Sequence, residues 1–228
     1  MIVSLSGGIG SGKDTAGAWL VARGFKRLSF ATPLKDIAAL LFSWDREMLE
    51  GATPQAREER EMVDQWWSEA LNDIVTPRSM LQYLGTDLFR DHLHDDIWVL
   101  TLKKVLAQHP DTNFVITDAR FFNEAHMIQS MGGQAYGIYR KLPRWLDEFY
   151  EFVDANSSRV LGCGFMDADL SNNHAAGIIR ATAKQFFESK KLAVHQSEWE
   201  LLLYNSYDGL IDNTSTIEDL HKQLEKFV

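Results

Sequence analysis

Two rhythms of apolar positions alternate along this chain. Ile2-Val3-Ser4-Leu5 is a nearly continuous apolar run stopped by Gly7-Gly8, which predicts a short buried strand. A helix is expected from about Lys13 to Ala22, ending at Gly24, and Phe25 to Phe30 alternates as a second strand. Pro33 suits a helix start, and Leu34 to Phe42 continues at helical spacing. Thr76-Pro77 is another start signal, a capping hydroxyl followed by proline, after which Leu81, Leu84 and Leu88 share one helical face. Asp95 or Asp96 caps the next helix, which Pro110 terminates. Asn113 to Thr117 reads as a strongly buried strand. Glu124 to Met131 reads as helix, Gly132-Gly133 as a break, and Gln134 to Tyr139 as strand. Helical stretches are expected near 143–153 and 175–190. Gly209 to Asp212 forms a last strand, and Thr216 caps a final helix.

Five strands separated by helices predict an α/β domain with a mainly parallel five-stranded sheet flanked by helices. Residues 44–75 read as an excursion from this core; of them, 44–73 are acidic, carry Trp44, Trp66 and Trp67, and are expected to be helical and largely solvent-facing, with the tryptophans packed inward. Residues 141–205 lie between two core strands yet far exceed an ordinary connection, which suits a mobile lid. One domain over 1–228 with inserts at about 44–92 and 141–205 is the expected organisation.

Composition narrows the partners. A net charge of −9 argues against broad binding to nucleic acid polymers or anionic membranes, while leaving room for a small anion in a local basic pocket. The single cysteine, Cys163, fits a reducing compartment and removes any cysteine-rich zinc site. No apolar run reaches the ~18 residues of a membrane span, and the first residues lack the basic region of a signal peptide. A cytoplasmic protein is expected, in the host cytoplasm if phage-encoded.

The chemistry begins at Gly7-Gly8-Ile9-Gly10-Ser11-Gly12-Lys13-Asp14-Thr15, between a predicted strand and a predicted helix. Gly8, Gly10, Ser11 and Gly12 let the backbone wrap a phosphate and aim N–H groups at it; the helix N-terminus adds partial positive charge, and Lys13 reaches the β- and γ-phosphates of ATP. The Ser/Thr that usually follows the lysine as a Mg²⁺ ligand is Asp14 here, with Thr15 one place later. This Gly-Lys-x-Thr ending resembles adenylate-kinase-type enzymes, with Mg²⁺ held by phosphates and water and helped by Asp14. Thr15 is either a ligand or a core-facing threonine.

Asp118-Ala119-Arg120 follows a buried strand, whose carboxyl end faces the ligand crevice in a doubly wound sheet. Asp118 suits a place near Mg²⁺ and the acceptor oxygen, and the planar fork of Arg120 suits a phosphate. Asn123 and Glu124 read as capping residues of the next helix. Arg78 and Gln82 lie one helical turn apart and offer a guanidinium and an amide. Gly85 inside a helix suggests close approach of a ligand or another backbone, and Arg90 either faces the same cleft or pairs with Asp87. Arg140 ends a strand as Arg120 does and is a better candidate than the solvated Lys141, Arg144 and Arg159. His92, His94, Asp95 and Asp96 read as surface residues rather than a metal site.

Taken in order, several segments resemble the bacteriophage deoxynucleoside monophosphate kinase family. They are Ser11 to Thr15, Phe30-Ala31-Thr32-Pro33-Leu34-Lys35, Arg78 through Leu84-Gly85-Thr86-Asp87, Asp118-Ala119-Arg120, His195-Gln196-Ser197-Glu198 and Ile211 to Ser215. The resemblance implies a P-loop kinase fold, with 44–92 carrying acceptor-binding helices and 141–205 the lid. It implies transfer of the ATP γ-phosphate to a deoxynucleoside monophosphate, with Mg²⁺ held through water by Asp14 and Asp118. Lys13, Asp118 and Arg120 are then catalytic, and Lys35, Arg78, Gln82, Arg90, Arg120 and Arg140 face the acceptor. Asn213 lies near the adenine, and His195 and Glu198 belong in or beside the lid. Small-molecule substrates are implied rather than a nucleic acid polymer or a membrane, and a homodimer is compatible with the family. A related kinase for dephospho-coenzyme A or phosphomevalonate, and a nucleotide-dependent regulatory ATPase, are the competing readings.

Overall fold

The computed structural model describes every residue except Ile9, Ser171, His195, Phe227 and Val228. Along the chain run β1 (Ile2–Ser6), α1 (Lys13–Val21), β2 (Lys26–Leu28), α2 (Thr32–Phe42), α3 (Arg46–Glu50), α4 (Pro54–Glu59), α5 (Gln65–Leu71) and α6 (Pro77–Gln82). A π-helical stretch (Tyr83–Leu93) and α7 (Ile97–Gln108) follow. Then come β3 (Phe114–Ile116), α8 (Phe122–Ser130), β4 (Gln134–Tyr139), α9 (Leu146–Leu161), α10 (Asn173–Lys190), α11 (Gln196–Trp199), β5 (Gly209–Asp212) and α12 (Ile217–Leu224). The chain divides into two compact units. One comprises residues 1–28 and 110–228, the other 29–109; the second contains the whole of the expected 44–92 insert.

The first unit holds the sheet, in the order β2-β3-β1-β4-β5, with every pairing parallel. The five expected strands are those observed. Central parallel strands are covered on both faces, so they carry apolar side chains almost continuously: Val3, Leu5, Val115, Ile138 and Ile211 are all buried with Leu20 of α1 and Leu220 of α12. β1 lies between β3 and β4, so the chain passes from one side of it to the other. A ligand crevice opens where connections diverge in this way, at the carboxyl end of β1.

Residues 141–205 build a second apolar centre within this unit. Phe149 and Phe186 are wholly enclosed, and α9 and α10 face each other through Phe149, Phe186 and Phe187, with Trp145 and Trp199 edge-on to this group. Among the described residues no helix is long and apolar enough to cross a membrane.

The second unit is helical and packs around Ala38, Phe42, Leu49 and Leu84. Trp44 stacks on Phe42, and Trp67 meets Phe42 edge-on while donating its indole N–H to the Phe42 carbonyl at 3.1 Å. Trp44 donates to Asp64 at 2.7 Å. These two tryptophans pack inward as expected. Trp66 does not: it is 65% exposed and meets Trp67 edge-on.

The expected helix after Pro77 also departs from α geometry. A π-helix bonds i to i+5, so each turn takes in one more residue and the apolar face drifts. His94 N–H accordingly bonds the Phe89 carbonyl. Leu84 is therefore aligned with Phe89, which packs in the core, and Leu88 is left 40% exposed. The Gly85 carbonyl in this stretch accepts the buried Trp98 indole N–H at 2.9 Å. A Cβ on Gly85 would sit 3.0 Å from Leu34 Cδ2, so the close neighbour there is a side chain of α2.

The start of α6 is a reciprocal cap: Thr76 Oγ1 accepts from Ser79 N–H, and Ser79 Oγ accepts from Thr76 N–H, both at 3.0 Å. Thr76→Ala is expected to lower stability by about 1 kcal/mol, read as a shift of the urea midpoint at unchanged slope.

Candidate active site

The site is assembled at the carboxyl ends of β1, β3, β4 and β5. β1 delivers the glycine-rich loop, whose tightness has identifiable causes. A Cβ on Gly7 would collide with the Ile138 carbonyl of β4. Gly12, the residue before α1, has φ 102, a left-handed backbone that favours glycine, and a Cβ there would strike the Asn213 amide. Asn213 is buried; its amide donates to the Ser11 carbonyl at 2.8 Å, and its own N–H bonds the Tyr139 carbonyl. The residue after β5 thus clamps the loop to the end of β4.

Lys13 is buried, and its ammonium rests on the Gly8 carbonyl at 3.2 Å. Burial, then the neighbouring Arg120 and Arg27 guanidinia, hold its pKa below the ordinary lysine value, against an opposing pull from Asp14 and Asp118. Three cations and two carboxylates therefore share one neighbourhood, an arrangement with room for added negative charge.

Asp14 points away from the core and is ion-paired with Arg27. The same guanidinium donates to Thr117 Oγ1 at 2.5 Å, and Thr117 Oγ1 lies 3.4 Å from Asp14 Oδ1. Both members of the ion pair are substantially exposed, at 49% and 70%, so the pair is readily exchanged for other partners. Thr15 is exposed and not core-facing. Gly8 and Gly10 are exposed on the loop, and Ser11 is enclosed beneath it.

Asp118 and Arg120 are half-buried on the loop after β3. That loop is held by carboxylates: Glu124, 2% exposed, accepts the N–H of Arg120 at 2.7 Å and of Phe121 at 3.2 Å. The capping role expected for Glu124 is what is found. Arg140 is exposed at the end of β4.

Of the other candidates, Lys35, Arg78, Gln82 and Arg90 belong to the 29–109 unit. Lys35 is paired with Glu50 at 2.9 Å, and Arg78 with Glu61 at 3.3 Å. Gln82 is exposed one turn from Arg78, as expected. Arg90 donates to the Asp95 carbonyl at 3.4 Å. His195 and the side chain of Glu198 lie outside the described residues. Among the described residues no cluster of histidine, cysteine and carboxylate could by itself hold a metal. Sequence reasoning missed Arg27, whose signal was only its place in a strand feeding the same crevice, and missed that Asn213 grips the loop.

No protein-family model matches the chain. A protein of Acanthamoeba polyphaga mimivirus, provisionally named deoxynucleotide monophosphate kinase, is 31% identical over 236 residues, covering 98% of this chain and 94% of the relative. The deoxynucleoside-5'-monophosphate kinase of Escherichia phage T5 is 25% identical over 187 residues, 57% of this chain and 72% of the relative. Among solved structures, TT1252 from Thermus thermophilus has a TM-score of 0.44 at 15% identity, covering 100% of this chain and 95% of that one. A dephospho-CoA kinase from Campylobacter jejuni has a TM-score of 0.37 at 15% identity, covering 99% and 94%.

Proposed function

Because this chain belongs to the deoxynucleotide monophosphate kinases, and is thus a nucleoside-phosphate kinase with a P-loop kinase fold, we propose that it transfers the γ-phosphate of ATP to a deoxynucleoside monophosphate. The observation that carries this reading is the gathering of Arg120 and Arg27 around the buried loop lysine. That is more positive charge than the loop alone provides, which suits a site that takes a second phosphate.

The reaction is an in-line displacement. A phosphate oxygen of the monophosphate forms a bond to the γ-phosphorus as the bond from that phosphorus to the β–γ bridging oxygen breaks; ADP leaves with the electron pair. The attacking oxygen is already ionised, so no strong base is required. Lys13 and the loop N–H groups hold the β- and γ-phosphates, and Arg120 neutralises charge shared between donor and acceptor. Phosphates in the cluster offset the burial cost of the Lys13 charge. Arg27 can exchange Asp14 for phosphate, which releases the Asp14 carboxylate.

The donor set fits Mg²⁺ held mainly by phosphates and water, which is how this ion is usually bound where no protein cage exists. Asp118 and the released Asp14 would hold it through water; when bound it neutralises charge on the β- and γ-phosphates. On the acceptor side we assign Arg78, Gln82, Lys35, Arg90 and Arg140. Exchange of Glu61 or Glu50 for phosphate is the step that would free Arg78 or Lys35. Asn213 borders the adenine through the loop that it clamps. The enzyme would act as a cytoplasmic protein on free nucleotides.

A coupled assay with dAMP, dCMP, dGMP, dTMP, dephospho-coenzyme A, phosphomevalonate and no acceptor tests the reading. ADP release that depends on at least one deoxynucleotide is expected. Turnover with none of the four sinks the proposal, and hydrolysis that ignores every acceptor favours a regulatory ATPase.

A further inference from the structure

From Arg120 onward, three consecutive backbone N–H groups are all taken by buried carboxylates. Glu124 accepts those of Arg120 and Phe121. The third, Phe122 N–H, is accepted at 2.9 Å by Glu200, which lies 78 residues away and is wholly enclosed. The remaining acceptor positions of Glu200 are also filled. Arg180 of α10 forks onto both oxygens, Nη2 to Oε1 at 2.7 Å and Nε to Oε2 at 3.0 Å, and the Gln196 amide donates to Oε2. Four donors on two oxygens leave this carboxylate no alternative orientation.

The stretch that carries Glu200 is anchored to α8 at its far end too. Tyr204 Oη donates to Gln129 Oε1 at 2.5 Å, and Gln129 donates to the Ser206 carbonyl at 2.7 Å and to Asp208 at 2.9 Å. Tyr150 of α9 and Tyr207 donate to the Leu202 and Leu201 carbonyls. The start of α8 is therefore located by residues from α9, α10 and the 200–208 stretch.

We propose that Glu200, oriented by Arg180, is a positioning residue for Arg120, so that the seating of α10 is transmitted to the acceptor phosphate. Two contacts carry it: the fork from Arg180 to Glu200, and the bond from Phe122 N–H to Glu200, two residues after Arg120. The N–H groups of Arg120, Phe121 and Phe122 are already engaged, so none of these three is offered to a phosphate. What this segment gives the phosphate is therefore the Arg120 side chain, whose direction is set by the backbone that these carboxylates fix. This rests on the reading of Arg120 as an acceptor-side residue.

The test uses Arg180→Met, Arg180→Lys and Glu200→Gln in the full chain. Glu200→Gln turns one oxygen into a donor facing donors. Arg180→Met removes the fork and the guanidinium's approach to the Phe122 ring, at a side chain that is 32% exposed, and keeps the test available if the Glu200 variant does not fold. Displacement of a clamping group by a fraction of an ångström is expected to raise the acceptor KM by roughly tenfold or more, with the ATP KM nearly unchanged and Arg180→Lys recovering part of the loss. Hydrogen exchange at the Arg120, Phe121 and Phe122 amides, measured without substrate, is expected to be about tenfold faster in Arg180→Met. Unchanged exchange at these amides overturns the proposal whatever the substrate is. A fall in melting temperature with both KM values unchanged overturns it as well, because the pair would then be merely structural. If the wild type turns over no deoxynucleotide, the proposed function fails, and the exchange measurement still decides whether Glu200 and Arg180 hold the loop.

Discussion

Lys13→Met is expected to lower kcat by about a thousandfold while leaving the nucleotide-free protein at least as stable as the wild type. The two halves share one cause. Lys13 is enclosed beside Arg120 and Arg27, and its ammonium has one carbonyl for company, so its charge is held against burial and repulsion. Phosphate relieves that tension, and relief that grows as charge moves onto the transferred group is catalysis. Methionine fills the same space without the charge, so the tension and the relief disappear together.

The pH dependence has a definite sign. With the folded-state pKa below the ordinary value of 10.5, the unfolded chain binds the Lys13 proton more tightly between the two values. Wild-type stability therefore gains as pH rises through that window, and Lys13→Met lacks the gain. Single-turnover transfer and thermal melts across alkaline pH measure both. Loss of stability in Lys13→Met together with loss of activity would show that the lysine supports the fold.

Arg120→Ala is expected to lower kcat/KM for the acceptor by roughly a hundred- to a thousandfold, with ATP affinity changed far less. Glu124 holds the backbone of Arg120, not its guanidinium, so truncation leaves the loop in place. The same substitution removes the neighbouring charge that depresses Lys13 most, so the Lys13 pKa should rise toward the ordinary range. ATP affinity by calorimetry and acceptor kinetics separate the two effects. Equal losses on both substrates would place Arg120 on the donor side.

The strands of the sheet, though not their order, were legible because central parallel strands bury both faces, and so Ile2 to Leu5, Asn113 to Thr117 and Gln134 to Tyr139 announce themselves as apolar runs. The phosphate loop was legible because its chemistry is local: a strand, glycines, a lysine and a helix in immediate succession. Helix starts at Thr76 and Thr216 were legible for the same reason. What escaped is set by residues distant in sequence. The π geometry of Tyr83–Leu93 accompanies contacts that its own residues do not encode, those of Gly85 with Leu34 and Trp98. Trp66 resembles Trp67 in sequence, yet only Trp67 finds Phe42, 25 residues earlier. Arg27 gains meaning from Thr117, and Glu200 from Phe122 and Arg180, pairings with no periodicity to reveal them.

The clamp from Asn213 to the Ser11 carbonyl spans 202 residues, and it has a consequence for synthesis. A ribosome makes β1 well before its neighbours β3 and β4, which begin at Phe114 and Gln134. At about 5–20 residues per second, β1 waits for roughly 5–20 s before β3 exists, and the loop waits about twice as long for Asn213. During that interval an apolar strand has no sheet to join, and the nucleotide loop lacks the amide that fixes its backbone. The nucleotide loop, made long before Asn213, is thus competent only after it.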